Sequence, residues 1–160
     1  MTKLFGDLDL IEFEVTGRAA SQGSIRYHPV SGKDGKPLMR NGRPVLLPHH
    51  DSKVLQPWRR RVAANARIAM QGQPPLTGAI DLTVIVYRPR PKVHYDSRGY
   101  LKDTAPTHPI TRPDTLKQVR AIEDACTKIV WLDDSQVVDH RLRKMFGKTA
   151  KVLITVRRKD

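Results

Sequence analysis

Acidic residues gather in one part of a basic chain, and this arrangement is the clearest indication of chemistry in the sequence. The 160 residues include 29 Lys and Arg against 16 Asp and Glu, a formal net charge of +13. Six of the 16 acidic residues nevertheless fall within 26 positions: Asp114, Glu123, Asp124, Asp133, Asp134 and Asp139. A cationic protein is expected to bind a polyanion, and carboxylates repel phosphate unless a divalent cation lies between them. Hard, oxygen-ligated Mg²⁺ suits that role; the alternative is that these residues cap helices and form surface ion pairs.

The acidic cluster begins on a predicted helix that runs from about Thr115 to Ile129. Asp114 precedes the helical pattern and is placed to be its N-cap. The apolar stripe of this helix comprises Leu116, Val119, Ile122, Cys126 and Ile129, and its polar side carries Lys117, Arg120, Asp124 and Lys128. Glu123 lies at the margin of the stripe, so its carboxylate either pairs with Arg120, three residues earlier, or holds a cation. Cys126, on the stripe, is expected to be a buried small hydrophobe.

The elements that must position these residues follow from periodicity and from the placement of proline. Strands are predicted at Leu8–Val15, Ile80–Tyr87, Val137–Met145 and Ala150–Arg157, and the other helix at Trp58–Met70. We therefore expect an α+β fold, with a single small mixed β-sheet and two main helices packed on one face. Residues 1–160 form one predicted domain with flexible basic loops near 19–50, where Asn41-Gly42 marks a hairpin turn, and near 89–112. Trp131 is expected to pack in the core or at a dimer contact.

Composition excludes several classes of protein. A single cysteine allows no intramolecular disulfide, and no apolar stretch approaches the ~20 residues of a membrane span. The first seven residues lack the pattern of a secretory signal, so we expect a soluble protein of the cytoplasm that does not engage a membrane. The six histidines lack metal-ligand spacing. Three Phe, four Tyr and two Trp offer few base-stacking platforms, which favours the recognition of duplex shape and backbone.

Basic residues outside the acidic cluster are the candidate contacts with a polyanion, for which DNA is one possibility. They lie on the first helix, after the second strand and on the third strand: Arg59, Arg60, Arg61, Arg67, Arg88, Arg90, Lys92, Arg141, Arg143 and Lys144. Arg141 and Arg143 share one face of their strand with Asp139. Any one of these residues could equally be a solvated surface charge. The net positive charge of the chain would also suit binding to an anionic membrane or to an acidic protein. If six to ten of these basic residues meet phosphates, raising salt from 50 to 200 mM weakens binding by roughly 10³–10⁵.

The acidic segment resembles the core of the RusA family of Holliday junction resolvases. The resemblance rests on Arg112-Pro113-Asp114, on Lys117, on Val119-Arg120-Ala121, on Glu123-Asp124-Ala125, and on Trp131-Leu132-Asp133-Asp134-Ser135-Gln136-Val137-Val138-Asp139. Phage-borne members of the family have N-terminal segments similar to Val15-Thr16-Gly17, Gln22-Gly23-Ser24 and Trp58-Arg59. The resemblance implies a small homodimeric endonuclease of DNA recombination and repair, encoded by a phage or prophage. It would nick two opposing strands of a four-way junction with Mg²⁺, or Mn²⁺ as a substitute.

By position, the resemblance assigns Asp114 and Asp134 as catalytic aspartates and Arg120 to the place of a catalytically important lysine. One departure is that Leu116 stands where typical members have a second aspartate. Three outcomes stay open: Glu123 supplies the missing oxygen, as we expect; Asp133 or Asp124 does; or the chain binds junctions and cuts poorly. In the expected arrangement the metal is held by Asp114, Asp134 and Glu123, and Arg120 or Lys117 stabilises negative charge. A non-catalytic branched-DNA-binding protein is the main alternative, and a nuclease of replication forks is a third.

Overall fold

The protein is described by a computed structural model for residues 10–23, 26–49 and 53–159. Its elements are β1 (Leu10–Thr16), β2 (Arg26–Pro29), β3 (Met39–Arg40), β4 (Arg43–Pro44), β5 (Leu46–His49), α1 (Leu55–Met70), β6 (Ile80–Pro89), α2 (Thr115–Cys126), β7 (Val137–Gly147) and β8 (Lys151–Arg158). The prediction that the first strand starts at Leu8 lies outside the described residues. Within the described chain, no helix is both long enough and apolar enough to cross a bilayer.

Four strands form the main sheet, in the order β1-β8-β6-β7. The β6–β7 pair is parallel, while β8 is antiparallel to both β1 and β6, so the sheet is mixed as predicted. In β6 burial alternates along the strand, because successive side chains point to opposite faces. The buried face of the sheet joins the buried stripes of α1 and α2 in one hydrophobic core, which confirms the α+β prediction.

Helix α1 begins at Leu55, three residues before the predicted start. Pro57 lies within the first turn, where the missing N–H costs no hydrogen bond inside the helix. The buried stripe is Leu55, Trp58, Val62, Ala66 and Met70. The helical spacing of apolar residues predicts the last four, and Ala69, which it also predicts, is partly buried against the core. The helix ends at Met70, where Gln71 adopts a left-handed conformation with φ 50°.

Helix α2 differs from prediction in its end and in the face that it buries. It ends at Cys126 rather than Ile129, and the Thr127 hydroxyl donates a 2.9 Å hydrogen bond to the Glu123 carbonyl. Gln118 is buried and its side-chain amide donates to the Ala19 carbonyl at 3.3 Å, so the buried face turns toward α1. Leu116 is 74% exposed, and its placement on the apolar stripe was therefore wrong.

The loop regions contain short regular elements. Residues 26–49 form two small two-stranded sheets, β2–β5 and β3–β4. Asn41 and Gly42 connect β3 to β4 with φ angles of 52° and 73°, the pair of positive values that a type I′ turn requires. This confirms the hairpin turn predicted there. The flexibility of residues 19–50 and 89–112 stays a prediction.

Candidate active site

The direction of α2 relative to β7 decides where the candidate residues lie. The Lys144 Nζ donates to the carbonyls of Thr111 at 3.0 Å and Pro113 at 3.2 Å, just before α2 begins. Near the other end of α2, Glu123 Oε1 lies 2.7 Å from His140 Nε2. The helix therefore starts over the C-terminal part of β7 and runs back antiparallel to the strand.

Asp114 occupies the N-cap position of α2, as predicted, but its side chain makes no capping hydrogen bond. Its carboxylate is exposed and Oδ2 lies 3.4 Å from the Lys117 Nζ. The oxygens are therefore on the surface, beside one of the two cations predicted to stabilise negative charge. Metal binding by this carboxylate, which pairs with Lys117 and does not cap the helix, stays a prediction.

Asp133 and Asp134 lie in the turn between α2 and β7. Asp133 caps a 3₁₀ turn at Asp134–Gln136, accepting a 2.9 Å hydrogen bond from the Ser135 backbone N–H. Hydrogen bonding by Ser135 holds the pKa of the Asp133 carboxyl below its ordinary value. The Gln136 amide donates to the carbonyls of Leu76 and Gly78 at 3.0 and 3.1 Å, which ties the turn to the chain entering β6. Asp133 thus has a local structural role, and metal binding by it and by its exposed neighbour Asp134 stays a prediction.

Asp114 and Asp134 lie at opposite ends of α2. Twelve residues of helix span about 18 Å at 1.5 Å per residue. The eight residues of β7 from Val137 to Lys144, seven steps of ~3.3 Å, span about 23 Å, a second estimate of the same separation. Among the described residues, no three His, Cys, Asp or Glu side chains come together where they could hold a metal ion. One subunit therefore does not gather these carboxylates around one ion, and metal binding by each of them stays a prediction.

Glu123 takes a partner that the sequence analysis did not consider. The carboxylate, 19% exposed, pairs with His140 rather than with Arg120. The strand alternation of β7 was the signal for this contact, because it places His140 on the helix-facing side with Leu142. Glu123 also lies about 13.5 Å along the helix from Asp114. The hypothesis that Glu123 replaces the missing aspartate at position 116 gains no support from this geometry.

The other candidate for the missing ligand, Asp124, is also engaged. Its carboxylate forms an ion pair with Arg59, which donates in addition to Gln22 Oε1 at 2.6 Å. The contact joins α2 to α1 across 65 positions of sequence. Both Asp124 and Arg59 therefore hold the helices together.

Apart from Arg59, which pairs with Asp124, the predicted DNA-binding residues divide into two groups. The structure commits the first group to backbone carbonyls, with Arg61 on Thr16, Arg88 on Thr111 and Arg112, Arg90 on Pro106, and Lys144 on Thr111 and Pro113. Arg90 also stacks over the Phe146 ring at 4.1 Å. Arg88, Arg90 and Lys144 anchor the connector that leads to Asp114, and Arg61 anchors the end of β1. The second group has exposed side chains and consists of Arg60, Arg67, Lys92, Arg141 and Arg143.

Cys126 is buried in the core, as predicted. Burial, and secondarily the negative charge of Glu123, raises the pKa of its thiol above the ordinary value. A thiol in this state is neutral and unreactive at physiological pH. The residue therefore plays no nucleophilic part.

Comparison with known proteins gives two findings. The sequence model of the family described as Endodeoxyribonuclease RusA matches residues 31–157, which include α1, α2 and the whole of the turn before β7. The chain is also 29% identical over 154 residues to the Bacillus subtilis (strain 168) protein named "Uncharacterized protein YqaN". That alignment covers 94% of this chain and 97% of the Bacillus protein.

Proposed function

The chain belongs to the RusA family of endodeoxyribonucleases, and from this premise we propose that it is a Mg²⁺-dependent nuclease that resolves four-way DNA junctions by paired nicks. The observation that carries the proposal is that the family match spans both Asp114 and Asp134, and each presents an exposed carboxylate. The activity would serve DNA recombination and repair in the cytoplasm of a bacterium, where its substrate is, and the gene would belong to a phage or prophage.

The chemistry of the donor set fits a hard divalent cation. Carboxylate oxygens are the protein ligands that Mg²⁺ prefers, and one or two of them suffice when waters and phosphate oxygens complete the shell. Because Asp114 and Asp134 lie at opposite ends of α2, each would hold such a cation with water and phosphate oxygens rather than with the other aspartate. Bound there, the ion would supply an activated water and Lewis-acid stabilisation of the phosphate.

Two cations near Asp114 would act on the charge that develops during cleavage. Lys117 lies beside the carboxylate, and Arg120 is exposed one helical turn further along α2. A guanidinium stays protonated at all relevant pH values, so Arg120 stabilises negative oxygens and does not donate a proton. The five exposed cations named above would position the duplex arms through phosphate contacts.

A cleavage assay on a synthetic four-way junction tests the proposal. Wild-type protein is titrated with Mg²⁺, then Mn²⁺, and the products are mapped on each strand, with a linear duplex of the same sequence as control. Symmetric nicks in opposing strands of the junction support a resolvase. An intact junction with both metals would rule out nuclease activity on it, and a panel that includes replication forks shows whether other branches are preferred.

A second function, binding of branched DNA without efficient cleavage, is favoured by one observation. Leu116 stands at the position where the family pattern has its second aspartate, and its exposed side chain offers no ligand oxygen. Both functions predict salt-sensitive binding to junctions, so only the cleavage assay separates them.

Restoring the missing carboxylate should increase cleavage. Because Leu116 is 74% exposed, Leu116→Asp loses little packing. It adds a hard oxygen ligand two residues after Asp114. We expect the apparent Mg²⁺ affinity to improve and cleavage at limiting Mg²⁺ to rise by about tenfold, equivalent to ~1.4 kcal/mol. Initial rates over a Mg²⁺ series measure the effect. Leu116→Asn is the control, and an equal gain in both variants would contradict a metal-ligand role.

Removing one exposed cation, and separately one cation that is bonded to backbone carbonyls, should distinguish DNA contact from loop anchoring. Arg60→Met should weaken junction binding and lower the salt slope by about 1, because one phosphate contact is lost. Lys144→Met should leave that slope unchanged and reduce cleavage by about tenfold. This is less than the ~100-fold cost of a 1 Å misplacement, because Arg88 still holds Thr111.

Binding isotherms at four salt concentrations, with cleavage rates measured beside them, check both results. A lower salt slope for Lys144→Met would show that this lysine contacts DNA.

A further inference from the structure

The connector between β6 and α2 contains a short hairpin, residues 95–101, whose two ends form an antiparallel β-bridge. Oδ1 of Asp96 accepts hydrogen bonds from the backbone N–H groups of Arg98 and Tyr100, both at 2.9 Å. The Arg98 guanidinium returns to the same carboxylate, with Nε 3.5 Å from Oδ2. Gly99, at φ 84°, supplies the left-handed conformation that the turn requires. The tip of the hairpin therefore has a defined shape.

Tyr100, at this tip, presents an apolar ring to solvent. The side chain is 68% exposed, and the Arg98 guanidinium lies 5.7 Å from the centre of the ring. Val93, Leu101 and Ile110 of the same connector are exposed as well. A single exposed apolar side chain needs no explanation, but four on one connector, interleaved with cations, indicate a surface that binds something.

The charge of the connector complements a nucleic acid. Residues 90–113 contain five Lys and Arg against two Asp and no Glu. A cationic segment with an exposed aromatic ring suits a base that lacks a stacking neighbour, because the ring stacks on the base while the cations meet the phosphates beside it. An anionic protein surface would match the cations but would offer the ring no base to stack on.

The hairpin lies at the same end of the main sheet as Asp114. Arg90, directly after β6, donates to the Pro106 carbonyl at 2.8 Å and stacks over the ring of Phe146, near the end of β7. The His94 ring packs edge-on against the same Phe146 ring, with 5.5 Å between their centroids. The tip begins three residues after His94, at most about 10 Å further at ~3.3 Å per residue. Because α2 also begins over this end of the sheet, DNA that meets the tip lies near Asp114.

We propose that Tyr100 stacks on a base at the branch point of the junction, and that the hairpin thereby gives the protein part of its preference for branched over linear DNA. This inference rests on the proposed nuclease function and names the part of the substrate that the connector meets. In a linear duplex every base is stacked on both sides, so the ring must first unstack a base pair. At a branch point the strands pass between arms and the stack is interrupted, which lowers that cost.

Binding measured without cleavage tests this contact. A four-way junction and a linear duplex of the same sequence are titrated with protein in EDTA. Tyr100→Ala should weaken junction binding by about five- to 150-fold, equivalent to the ~1–3 kcal/mol of one base–aromatic stack, and leave duplex binding unchanged. Tyr100→Phe keeps the ring and should bind both DNAs as wild type does. Tyr27→Ala, on β2, removes a similarly exposed tyrosine outside the connector and should keep the junction preference.

Two further measurements examine the shape of the tip and the base that it meets. Asp96→Ala removes the acceptor of both tip N–H groups and should lose part of the junction preference, whereas Asp96→Asn keeps a side-chain oxygen there and should retain it. A 5-iododeoxyuridine at the branch point should photocross-link to Tyr100. The same base in the middle of an arm should not.

Equal losses on junction and duplex for Tyr100→Ala would overturn the branch-point contact. No loss on either DNA would also overturn it, and would assign the exposed connector to another partner, such as an acidic protein. The tests separate this inference from the proposed function. A protein that cuts no junction in Mg²⁺ or Mn²⁺ but needs Tyr100 for its junction preference loses the nuclease proposal and keeps the contact. A resolvase whose Tyr100→Ala variant binds both DNAs as wild type does loses only the contact.

Discussion

Asp134→Asn is expected to lower junction cleavage by about two to three orders of magnitude while leaving junction binding within a few-fold of wild type. The substitution keeps the shape of the side chain and removes the charge that attracts the metal ion. A metal contributes several kcal/mol to stabilising the charge of phosphoryl transfer, and each ~1.4 kcal/mol is tenfold in rate. Single-turnover cleavage with protein in excess over junction measures the chemical step.

Asp103→Asn is the matched control for this prediction. Asp103 is also exposed and lies in the connector before α2, so the variant has the same change in net charge at a place with no proposed role. It should cleave at the wild-type rate. Cleavage by Asp134→Asn within threefold of wild type would remove this carboxylate from the chemistry.

Trp131→Ala is expected to cost about 3–5 kcal/mol of the free energy of unfolding, the range found when a large buried aromatic is truncated. Trp131 is fully buried and its indole N–H donates to the Thr127 hydroxyl at 3.2 Å. Its backbone forms β-bridges with Leu76 and with Thr127. Trp131 therefore lies in, and helps to hold, the turn that leads from α2 to Asp134. Urea unfolding at equilibrium measures the loss as a lower midpoint.

Substitution of the two tryptophans by phenylalanine provides the control. Trp131→Phe keeps most of the buried area but loses the hydrogen bond to Thr127. That loss should lower the free energy of unfolding by about 0.5–1.5 kcal/mol. The Trp58 indole N–H is buried without a partner among the described residues, so Trp58→Phe has no hydrogen bond to lose. An equal cost in both variants would show that the bond to Thr127 contributes nothing.

Much of the fold could be read from local patterns. The alternation of Leu82, Val84 and Val86 with polar residues predicted β6, and the i, i+4 spacing from Trp58 predicted α1, because burial of one face imposes its own period. Boundaries were less accurate. The helix predicted to start at Trp58 begins at Leu55, because a proline such as Pro57 is tolerated anywhere in a first turn, whose N–H groups have no helical partner.

The principal error of the sequence analysis concerned which face of α2 is buried. Its cause is a hydrogen bond made by a buried polar side chain. The helical period of the apolar residues placed Leu116 on the buried stripe, whereas the helix buries Gln118 instead. The amide of Gln118 has a backbone acceptor on Ala19, 99 positions away. A hydrogen bond to a distant carbonyl offsets the cost of burying an amide, and no local pattern announces it.

The sequence by itself determined the mixed α+β class, the hairpin turn at Asn41-Gly42 and the motif that contains Asp114 and Asp134, because each depends on residues close together in the chain. Only the tertiary structure decided that these two aspartates lie at opposite ends of α2, that Glu123 pairs with His140, and that four of the predicted DNA-binding cations anchor loops. The first two outcomes depend on how α2 packs against β7, and the third on contacts of α1, β6 and β7 with backbone that is distant in sequence. The energy of such packing comes from contacts between segments that spacing along the chain does not relate.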